Sequence, residues 1–206
     1  MASTTSNRSP LLAFRLATVE DADALTRLVN IAFRSEKTGD TWIYDEQDKR
    51  VDILPLEVTQ HFISGDDTVM LVGHLSPGFA STQGLNDARV ATCFLRRPAV
   101  TPEQQQKNSH VSPGTAWLGL LAILPSLHGQ GLGKDILAEA GRFVKEQWGA
   151  ERLEFDFVHT RTQLKAWYER QGYQETGKWR DFMYPEGGKE VLRGGLRQIV
   201  LGKDLM

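Results

Sequence analysis

A glycine-rich loop separates an apolar run from an amphipathic segment near the middle of the chain, and few backbone arrangements accommodate it. The apolar run, residues 115–123, has strand character and ends before Pro125, and three alternate glycines follow within residues 129–133. Residues 131–148 then repeat apolar side chains at helical spacing. Glycines let a ligand approach the backbone, and a helix start presents unpaired N–H groups. The segment therefore suits an anion such as a pyrophosphate, although a helix start that binds no ligand fits the glycines as well.

Two common phosphate-binding loops do not fit this spacing. The dinucleotide fingerprint G-x-G-x-x-G requires a third glycine that the spacing Gly129-x-Gly131-x-Gly133 lacks. The nucleoside-triphosphate loop G-x-x-x-x-G-K-[ST] needs glycine where His128 stands and a hydroxyl side chain where Asp135 stands. The sequence therefore argues against a dinucleotide site and against a P-loop.

The periodicity of the remaining chain predicts a mixed α+β fold. Apolar residues that alternate or run continuously predict strands, and apolar residues at i, i+3 and i+4 predict helices. The resulting order is strand, two helices, three strands, helix, strand, helix and two strands, which is typical of a sheet covered by helices. The second and third strands are expected to form a hairpin, with predicted loops at 76–87, 98–114 and 181–195. The predicted strands are 14–17, 68–75, 88–95, 115–123, 151–158, 173–179 and 196–201, and the predicted helices are 18–33, 55–63, 131–148 and 162–170.

Length and charge limit the classes of protein to which the chain can belong. Its 206 residues suit one domain, which we assign to residues 11–206 after a polar tail at 1–10 that is expected to be disordered. A net charge of −2 provides no basic surface for nucleic acid, and no apolar stretch approaches the length of a membrane span. The lone Cys93 cannot form an internal disulfide and is expected in the core, and the histidines show no metal-ligand spacing. A soluble, cytoplasmic protein without a metal is expected.

At the glycine loop the sequence resembles a known family. The pattern [Q/R]-x-x-G-x-[G/A], placed after a strand that ends in V-x-P, is the acyl-CoA-binding motif of the GCN5-related N-acetyltransferases, or GNATs. Here the strand ends in Ile123-Leu124-Pro125, and residues 128–133 read HGQGLG, with His128 where Gln or Arg is usual. Because backbone amides do most of the pyrophosphate binding in that family, we expect the loop to tolerate this histidine.

A second segment strengthens the resemblance. Residues 168–173 read YERQGY and resemble the family's Y-E-x-x-G-[F/Y] segment, in which a helix turns into a strand. The two motifs occur in the expected order and are separated by a helix and a strand of the expected lengths. The resemblance is specific over residues 115–176, and over residues 13–75 only the order of elements agrees. It implies a mostly antiparallel central sheet flanked by helices on both faces.

The resemblance also implies how acetyl-CoA would bind. In this family the strand before the loop and the strand after the helix move apart, and the pantetheine arm pairs with backbone in the gap. A bulge in the first of these strands would aim an N–H at the thioester carbonyl and stabilise the oxyanion. The residues expected to bind the cofactor are Leu121, Ala122 and Ile123 for the pantetheine, and His128, Gly129, Gln130, Gly131, Leu132, Gly133 and Lys134 for the pyrophosphate.

For catalysis the resemblance implies a proton donor, whereas the base stays open. Tyr168 matches the family's tyrosine, whose hydroxyl lies near the sulfur of CoA, and is expected to protonate the leaving thiolate; core packing is the alternative from spacing alone. The attacking amine has a pKa near ~10, so its proton must leave to a base or through water. Glu154 and Asp156, on the polar face of an alternating strand, are candidates for that base. A salt bridge, for example with Arg152, is the alternative for these carboxylates.

The acceptor is expected to bind where such enzymes differ most from one another. Phe33, Glu36 and Trp42 lie at or beyond the end of the first helix, and Trp117 lies on the fourth strand. Trp42 and Trp117 could wall an apolar pocket or belong to the core, and Glu36 could be a base or a solvated charge. The predicted reaction is transfer of the acetyl group of acetyl-CoA to a primary amine of a small molecule or peptide. The alternative is a CoA-binding module without turnover, and the acyl length, the acceptor and a homodimeric state stay open.

Overall fold

Seven strands form one sheet in the computed structural model, which describes residues 12–34, 54–182 and 195–206. The strands are β1 (Leu12–Leu16), β2 (Thr68–Leu75), β3 (Arg89–Arg96), β4 (Ala116–Ile123), β5 (Arg152–Val158), β6 (Gln174–Asp181) and β7 (Arg197–Asp204). Their order across the sheet is β1-β2-β3-β4-β5-β7-β6. Every neighbouring pair is antiparallel except β4 and β5, which run parallel. The hairpin predicted for the second and third strands is confirmed.

Helices cover both faces of this sheet. In the described part of the chain they are α1 (Ala22–Arg34), α2 (Leu56–Ser64), α3 (Pro77–Thr82), α4 (Pro102–Lys107), α5 (Leu132–Trp148) and α6 (Thr162–Arg170). The apolar side chains of α5 and α6 pack against one face, and those of α1 and α2 pack against the other. The predicted mixed α+β class, with a mostly antiparallel sheet between two layers of helices, is therefore confirmed.

Alternation along the central strands divides the core into these two layers. Cys93 of β3 is buried in the same cluster as Ile136 of α5, whereas the next residue, Phe94, is buried with Leu25 of α1. Successive side chains of a strand point to opposite faces, so each strand supplies both layers. Burial raises the pKa of the Cys93 thiol, which therefore stays protonated and unreactive, as expected of a core cysteine.

The start of α1 is tied to two strands through one buried carboxylate. Asp21 accepts hydrogen bonds from Arg15 of β1 at 2.5 and 2.7 Å and from Arg89 of β3 at 3.0 Å. It also accepts the backbone N–H of Thr18 at 2.9 Å, which satisfies a donor at the helix entrance. Thr18 precedes a short 3₁₀ turn, Val19–Asp21, which leads into α1.

Two of the predicted loops contain short helices, and the loop prediction is wrong at those places. α3 lies within 76–87 and α4 within 98–114. α4 begins because the Thr101 hydroxyl accepts the N–H of Gln104 at 3.2 Å and the Gln104 side chain accepts the N–H of Thr101 at 3.2 Å. Two other predictions lie outside the described residues: the tail at 1–10 and most of the loop at 181–195.

Candidate active site

The strands β4 and β5 separate shortly after they begin. Their parallel pairing consists of Ala116 with Leu153 and Trp117 with Glu154. Beyond this point β4 continues to pair with β3, and β5 continues to pair with β7. The facing edges of β4 and β5 therefore diverge, and their backbone groups are available to an extended ligand that pairs as an added strand would.

A bulge interrupts β4 where the strands diverge. Phe94 pairs with Gly119 and Thr92 with Ala122, so three residues of β4 advance against two of β3. Leu120 is the extra residue of the bulge. Its φ is 51°, and among the described residues it is the one non-glycine residue with positive φ. Such backbone costs about 1–3 kcal/mol and persists where the surrounding structure imposes it. The bulge lies between Gly119 and Ala122, and it leaves polar backbone groups outside the β3–β4 ladder.

The three glycines of the loop serve two different structural purposes. Gly129 and Gly131 have φ of 81° and 90°, and Gly131 is the N-cap of α5 in left-handed conformation. A Cβ atom at either position would meet no heavy atom within 4 Å, so the space beside the loop is open. At Gly133 a Cβ atom would instead lie 3.1 Å from the Trp167 ring of α6. The first two glycines therefore shape an open loop at a helix start, an arrangement suited to an anion, and the third lets α6 approach α5.

The histidine that replaces the usual Gln or Arg of the motif turns back toward β4. Nε2 of His128 lies 3.2 Å from the carbonyl oxygen of Ile123, the last residue of that strand. With the proton on Nε2, the imidazole donates a hydrogen bond that ties the loop to the strand end. His128 is also partnered through its backbone, because its N–H donates to the Pro125 carbonyl at 3.2 Å. The side chain thus braces the loop.

Tyr168 of α6 lies in a packed aromatic cluster on the α5 side of the sheet. Its ring centroid is 4.4 Å from that of Phe155 and 4.9 Å from that of Trp167. Burial raises the pKa of the Tyr168 hydroxyl above its usual value, and the nearby charge of Arg161 only partly offsets this. The phenol therefore keeps its proton over the ordinary pH range, which is what a proton donor requires.

The two carboxylates of β5 face the opposite side of the sheet and both have ion-pair partners. Glu154 is fully buried; it accepts the Nε–H of Arg152 at 2.9 Å and the backbone N–H of Ser112 at 2.8 Å. Asp156 accepts the Nε–H of Arg180 at 2.5 Å. The salt bridge considered for Glu154 is thus present. The hydrogen bond from Ser112 to Glu154 also holds the loop between α4 and β4. A role in proton transfer stays a prediction for both residues.

A comparison with models of protein families distinguishes among the interpretations of this loop and gap. Residues 68–175 match the acetyltransferase (GNAT) domain, and this stretch runs from β2 through the glycine loop to the second motif. The chain belongs to the GNAT family. GNAT enzymes use acetyl-CoA and act on amines, so family membership indicates an N-acetyltransferase.

Solved structures with the GNAT fold resemble the chain over nearly its whole length. An N-acetyltransferase from Staphylococcus aureus Mu50 is 14% identical with a TM-score of 0.60, and 95% of this chain and 99% of that one align. The ribosomal-protein-alanine N-acetyltransferase of Brucella melitensis is 19% identical with a TM-score of 0.60, over 94% and 100% of the two chains. The ribosomal-protein-S18-alanine N-acetyltransferase of Escherichia coli is 14% identical with a TM-score of 0.59, over 94% of each chain. These likenesses establish the fold, and no curated protein matches the chain in sequence.

The structure describes two of the four residues that the sequence predicts to bind the acceptor. Trp117 is buried on the α1 side, and its ring lies 4.8 Å from that of His110 in an edge-on arrangement. Phe33 packs with the apolar cluster at the end of α1, which includes Ala122 of β4 and its neighbour Leu120. The other two residues predicted for acceptor binding, Glu36 and Trp42, lie outside the described residues.

Sequence reasoning missed three polar residues of this GNAT domain that the fold brings to the same face as Trp117. Arg96 is its register partner on β3, His110 contacts its ring, and Arg180 bonds Asp156. The only signal in the sequence is a charged residue directly after the apolar run of β3, which fits a strand end equally well. Strand register decides which face such a residue joins, and register depends on partners far away in the sequence.

Two further observations concern other ligands and membranes. Among the described residues, no group of three or more His, Cys, Asp or Glu side chains is placed to hold a metal ion. Over the same residues, the helices of this GNAT domain are too short or too polar to cross a membrane.

Proposed function

We propose that the chain transfers the acetyl group of acetyl-CoA to a primary amine of a small molecule or peptide. The observation that carries the proposal is the opening between β4 and β5, which leads to left-handed glycines at the start of α5. A helix N-terminus with glycines that permit close approach is suited to a diphosphate, and diverging strand edges are suited to an amide-bearing arm. The family supplies acetyl-CoA as the molecule that has both parts.

The residues that would hold acetyl-CoA fall into two groups. The backbone of Leu121, Ala122 and Ile123 follows the bulge and would pair with the pantetheine amides. The amides of residues 128–134 would surround the diphosphate. Lys134 lies in the first turn of α5, and the positive end of the α5 dipole points toward the same loop. Acetyl-CoA supplies an acetyl group activated as a thioester. The bulge would supply a backbone N–H for the negative charge that develops on the carbonyl oxygen.

Tyr168 would supply the proton for the departing sulfur. A thiol has a pKa of about 8.5, so its thiolate leaves more readily when a nearby acid donates a proton. The buried phenol of Tyr168 keeps its proton because burial raises its pKa.

Asp156 is the better of the two candidates for the base. Its side chain is 10% exposed, whereas that of Glu154 is 0% exposed and is enclosed by Arg152 and Ser112. A proton from the amine would therefore reach Asp156 more easily. The acceptor would approach from the α1 side, where Phe33 and Trp117 lie, and Glu36 and Trp42 remain predicted members of that site.

A CoA-binding module without turnover is the second candidate function. The observation that favours it is the ion pairing of both β5 carboxylates, since each side chain already has an arginine partner and an amine would have to compete for it. An amine panel with a free-thiol readout distinguishes the two functions. Release of CoA with at least one amine supports the enzyme, and tight CoA binding with no release across the panel supports the module.

Substitution of Gly131 tests the cofactor site directly. Gly131→Asp places a negative side chain at the open N-cap of α5, so calorimetry should show CoA affinity lowered at least ~100-fold. The matched control is Gly149→Asp at the other end of the same helix, where the glycine is also left-handed with φ of 64° and has open space beside it. That variant carries a similar backbone strain and should bind CoA as the wild type does. Equal affinities for the wild type and Gly131→Asp would contradict the assignment of the loop.

A further inference from the structure

Three cationic side chains and one histidine lie on the proposed acceptor side of the sheet, and the proposed chemistry does not use them. Arg96 ends β3 and is the register partner of Trp117, and Arg180 of β6 bonds Asp156 on the same face. His110 contacts the Trp117 ring from the loop before β4. The pKa of His110 shows which charges lie near its ring. Burial lowers this pKa most, the positive charges of Arg180, Arg96 and Lys178 of β6 lower it further, and Asp156 raises it. We call Arg96, His110, Lys178 and Arg180 the acceptor-side cluster.

Arg96 is the member of this cluster with an unmet hydrogen bond. Its Nη2 atom is buried and has no hydrogen-bond partner. A guanidinium removed from water without a partner is costly, because both its charge and its N–H groups lose solvation. Among the described residues nothing bonds the Nη2 atom of Arg96, although arginines are usually exposed to solvent.

The charges around Arg96 make its burial still less favourable. The pKa of the Arg96 guanidinium is lowered by burial and by the positive charge of Arg180, and Asp67 opposes this only in part. Arg180 already has Asp156 as its ion-pair partner at 2.5 Å. Among the described residues the cluster therefore has more positive than negative charge, and an anion near the two guanidinium groups would balance the charge and accept the unmet N–H.

The phosphates of acetyl-CoA are too far away to be that anion. Arg96 aligns with Trp117 at the beginning of β4, whereas the glycine loop follows Ile123 at its end. Six residues of strand at ~3.3 Å each separate these points by about 20 Å. An acceptor bound beside Trp117 could bring an anion to this position.

We propose that the acceptor-side cluster binds a carboxylate on the acceptor, so that the substrate is an amine that also carries a carboxylate, as an amino acid does. Arg96 would supply the fork of N–H donors, and Arg180 would contribute positive charge while it stays bonded to Asp156. This inference rests on the proposed acetyl transfer, and it narrows the acceptor from any primary amine to one with an anionic group.

Pairs of compounds that differ only in the carboxylate test the substrate class. Phenylalanine with phenethylamine, lysine with cadaverine, and arginine with agmatine should each be compared for CoA release by the full-length protein. The expected result is at least one pair in which kcat/KM for the carboxylate member is roughly 10- to 100-fold higher. The inference is overturned if kcat/KM for every carboxylate member equals or falls below that of its partner. It is also overturned if the protein binds CoA but acetylates none of the carboxylate members. Failure to bind CoA in calorimetry would instead overturn the proposed acetyl transfer, so the two failures are distinguishable.

A neighbouring arginine provides a matched control for Arg96. Arg96→Met should reduce the preference for the carboxylate member of the responsive pair at least ~10-fold, through a rise in KM more than a fall in kcat. Arg97→Met removes the same charge one residue later, where the guanidinium lies 5.5 Å from the Trp148 ring of α5 on the other face. That variant should keep the wild-type preference. An unchanged preference in Arg96→Met, or an equal loss in both variants, would overturn the assignment of Arg96.

Stability gives a second readout that does not depend on activity. Methionine at position 96 removes a half-buried guanidinium whose buried Nη2 atom lacks a partner, so the Tm of Arg96→Met should equal or exceed that of the wild type. Arg96→Lys, which keeps the charge but not the fork, should also fold and should show an intermediate preference. A Tm lowered by more than about 5 °C in Arg96→Met would show that Arg96 is needed for folding and would overturn its role as a ligand-binding arginine.

Discussion

The environment of Tyr168 determines what its hydroxyl can do. Five aromatic rings lie together on the α5 side, among them Phe155 and Tyr173, so the phenol is removed from bulk water. Ionisation is disfavoured there, and the pKa is raised for Tyr168 and for Tyr173 alike. Two tyrosines in one cluster therefore share an environment, and only the first is proposed to face the thioester.

Removal of the Tyr168 hydroxyl should reduce turnover without unfolding the protein. Tyr168→Phe is expected to lower kcat by ~10²-fold or more, because general acid catalysis contributes that much to such steps. Tyr173→Phe is the matched control, since it deletes a hydroxyl from the same cluster and should leave kcat within a few-fold of the wild type. Steady-state kinetics with free-thiol detection measures both. An unaltered kcat in Tyr168→Phe would return this residue to the core.

Substitutions of the two β5 carboxylates should affect the reaction rate with different pH dependence. A base is needed where the amine is protonated and becomes unnecessary above the amine pKa of ~10. Asp156→Asn should therefore lower the rate at pH 7 and approach the wild-type rate as the pH nears 10. Glu154→Gln, enclosed by Arg152 and Ser112, should change the rate by the same small factor at every pH. The measurement is the pH–rate profile of each variant. If the profiles of the wild type and Asp156→Asn are parallel, Asp156 is not the base.

At the scale of elements, the carboxylate of Asp21 joins α1 to β1 and β3. Its side chain is 4% exposed, and its pKa is lowered, chiefly by hydrogen bonds from Arg15. Because the folded-state pKa lies below the unfolded value of about 3.9, the ionised carboxylate stabilises the fold above that pH. This stabilisation is lost as the pH falls below about 4 and through the folded-state pKa.

Asp21→Asn should lower the free energy of unfolding at pH 7 by about 2 kcal/mol, since one arginine partner is half exposed and the full cost of a broken buried pair does not apply. The difference from the wild type should shrink as the pH falls from 4 to 2. Asp23→Asn serves as the control, because its ion pair with Arg27 is exposed on both sides. That variant should change stability by less than about 0.5 kcal/mol in urea titrations. A constant difference between Asp21→Asn and the wild type across this pH range would contradict the account.

Elements with a strong local pattern are the ones that the sequence predicts well. β5 alternates apolar and polar residues, and α5 repeats its apolar stripe over 17 residues between two glycine caps, so both appear within a residue or two of their predicted bounds. α4 was missed because its proline and glutamines resemble loop chemistry, and only the capping box at Thr101 shows that a helix starts there. The divergence of β4 from β5 came from the family resemblance, since separation of two strands leaves no local pattern.

For the whole molecule, the alternation of β5 separates two sets of functional side chains. Phe155 and Phe157 face Tyr168 on the α5 side, whereas Glu154 and Asp156 face Trp117 on the α1 side. A thioester held in the gap between β4 and β5 would therefore have a proton donor on one face and the acceptor on the other. The acceptor-side cluster was not predictable, because Arg96, His110 and Arg180 come from three distant segments that only the folded sheet brings together.

The structure of the complex with coenzyme A tests the central claim most directly. We expect the diphosphate within hydrogen-bonding distance, ~2.7–3.2 Å, of main-chain amides between residues 129 and 133. We also expect the pantetheine arm between β4 and β5, paired with the backbone of 121–123 and with its sulfur directed toward Tyr168. Coenzyme A bound at another surface, with the gap between these strands closed by side chains, would contradict the account.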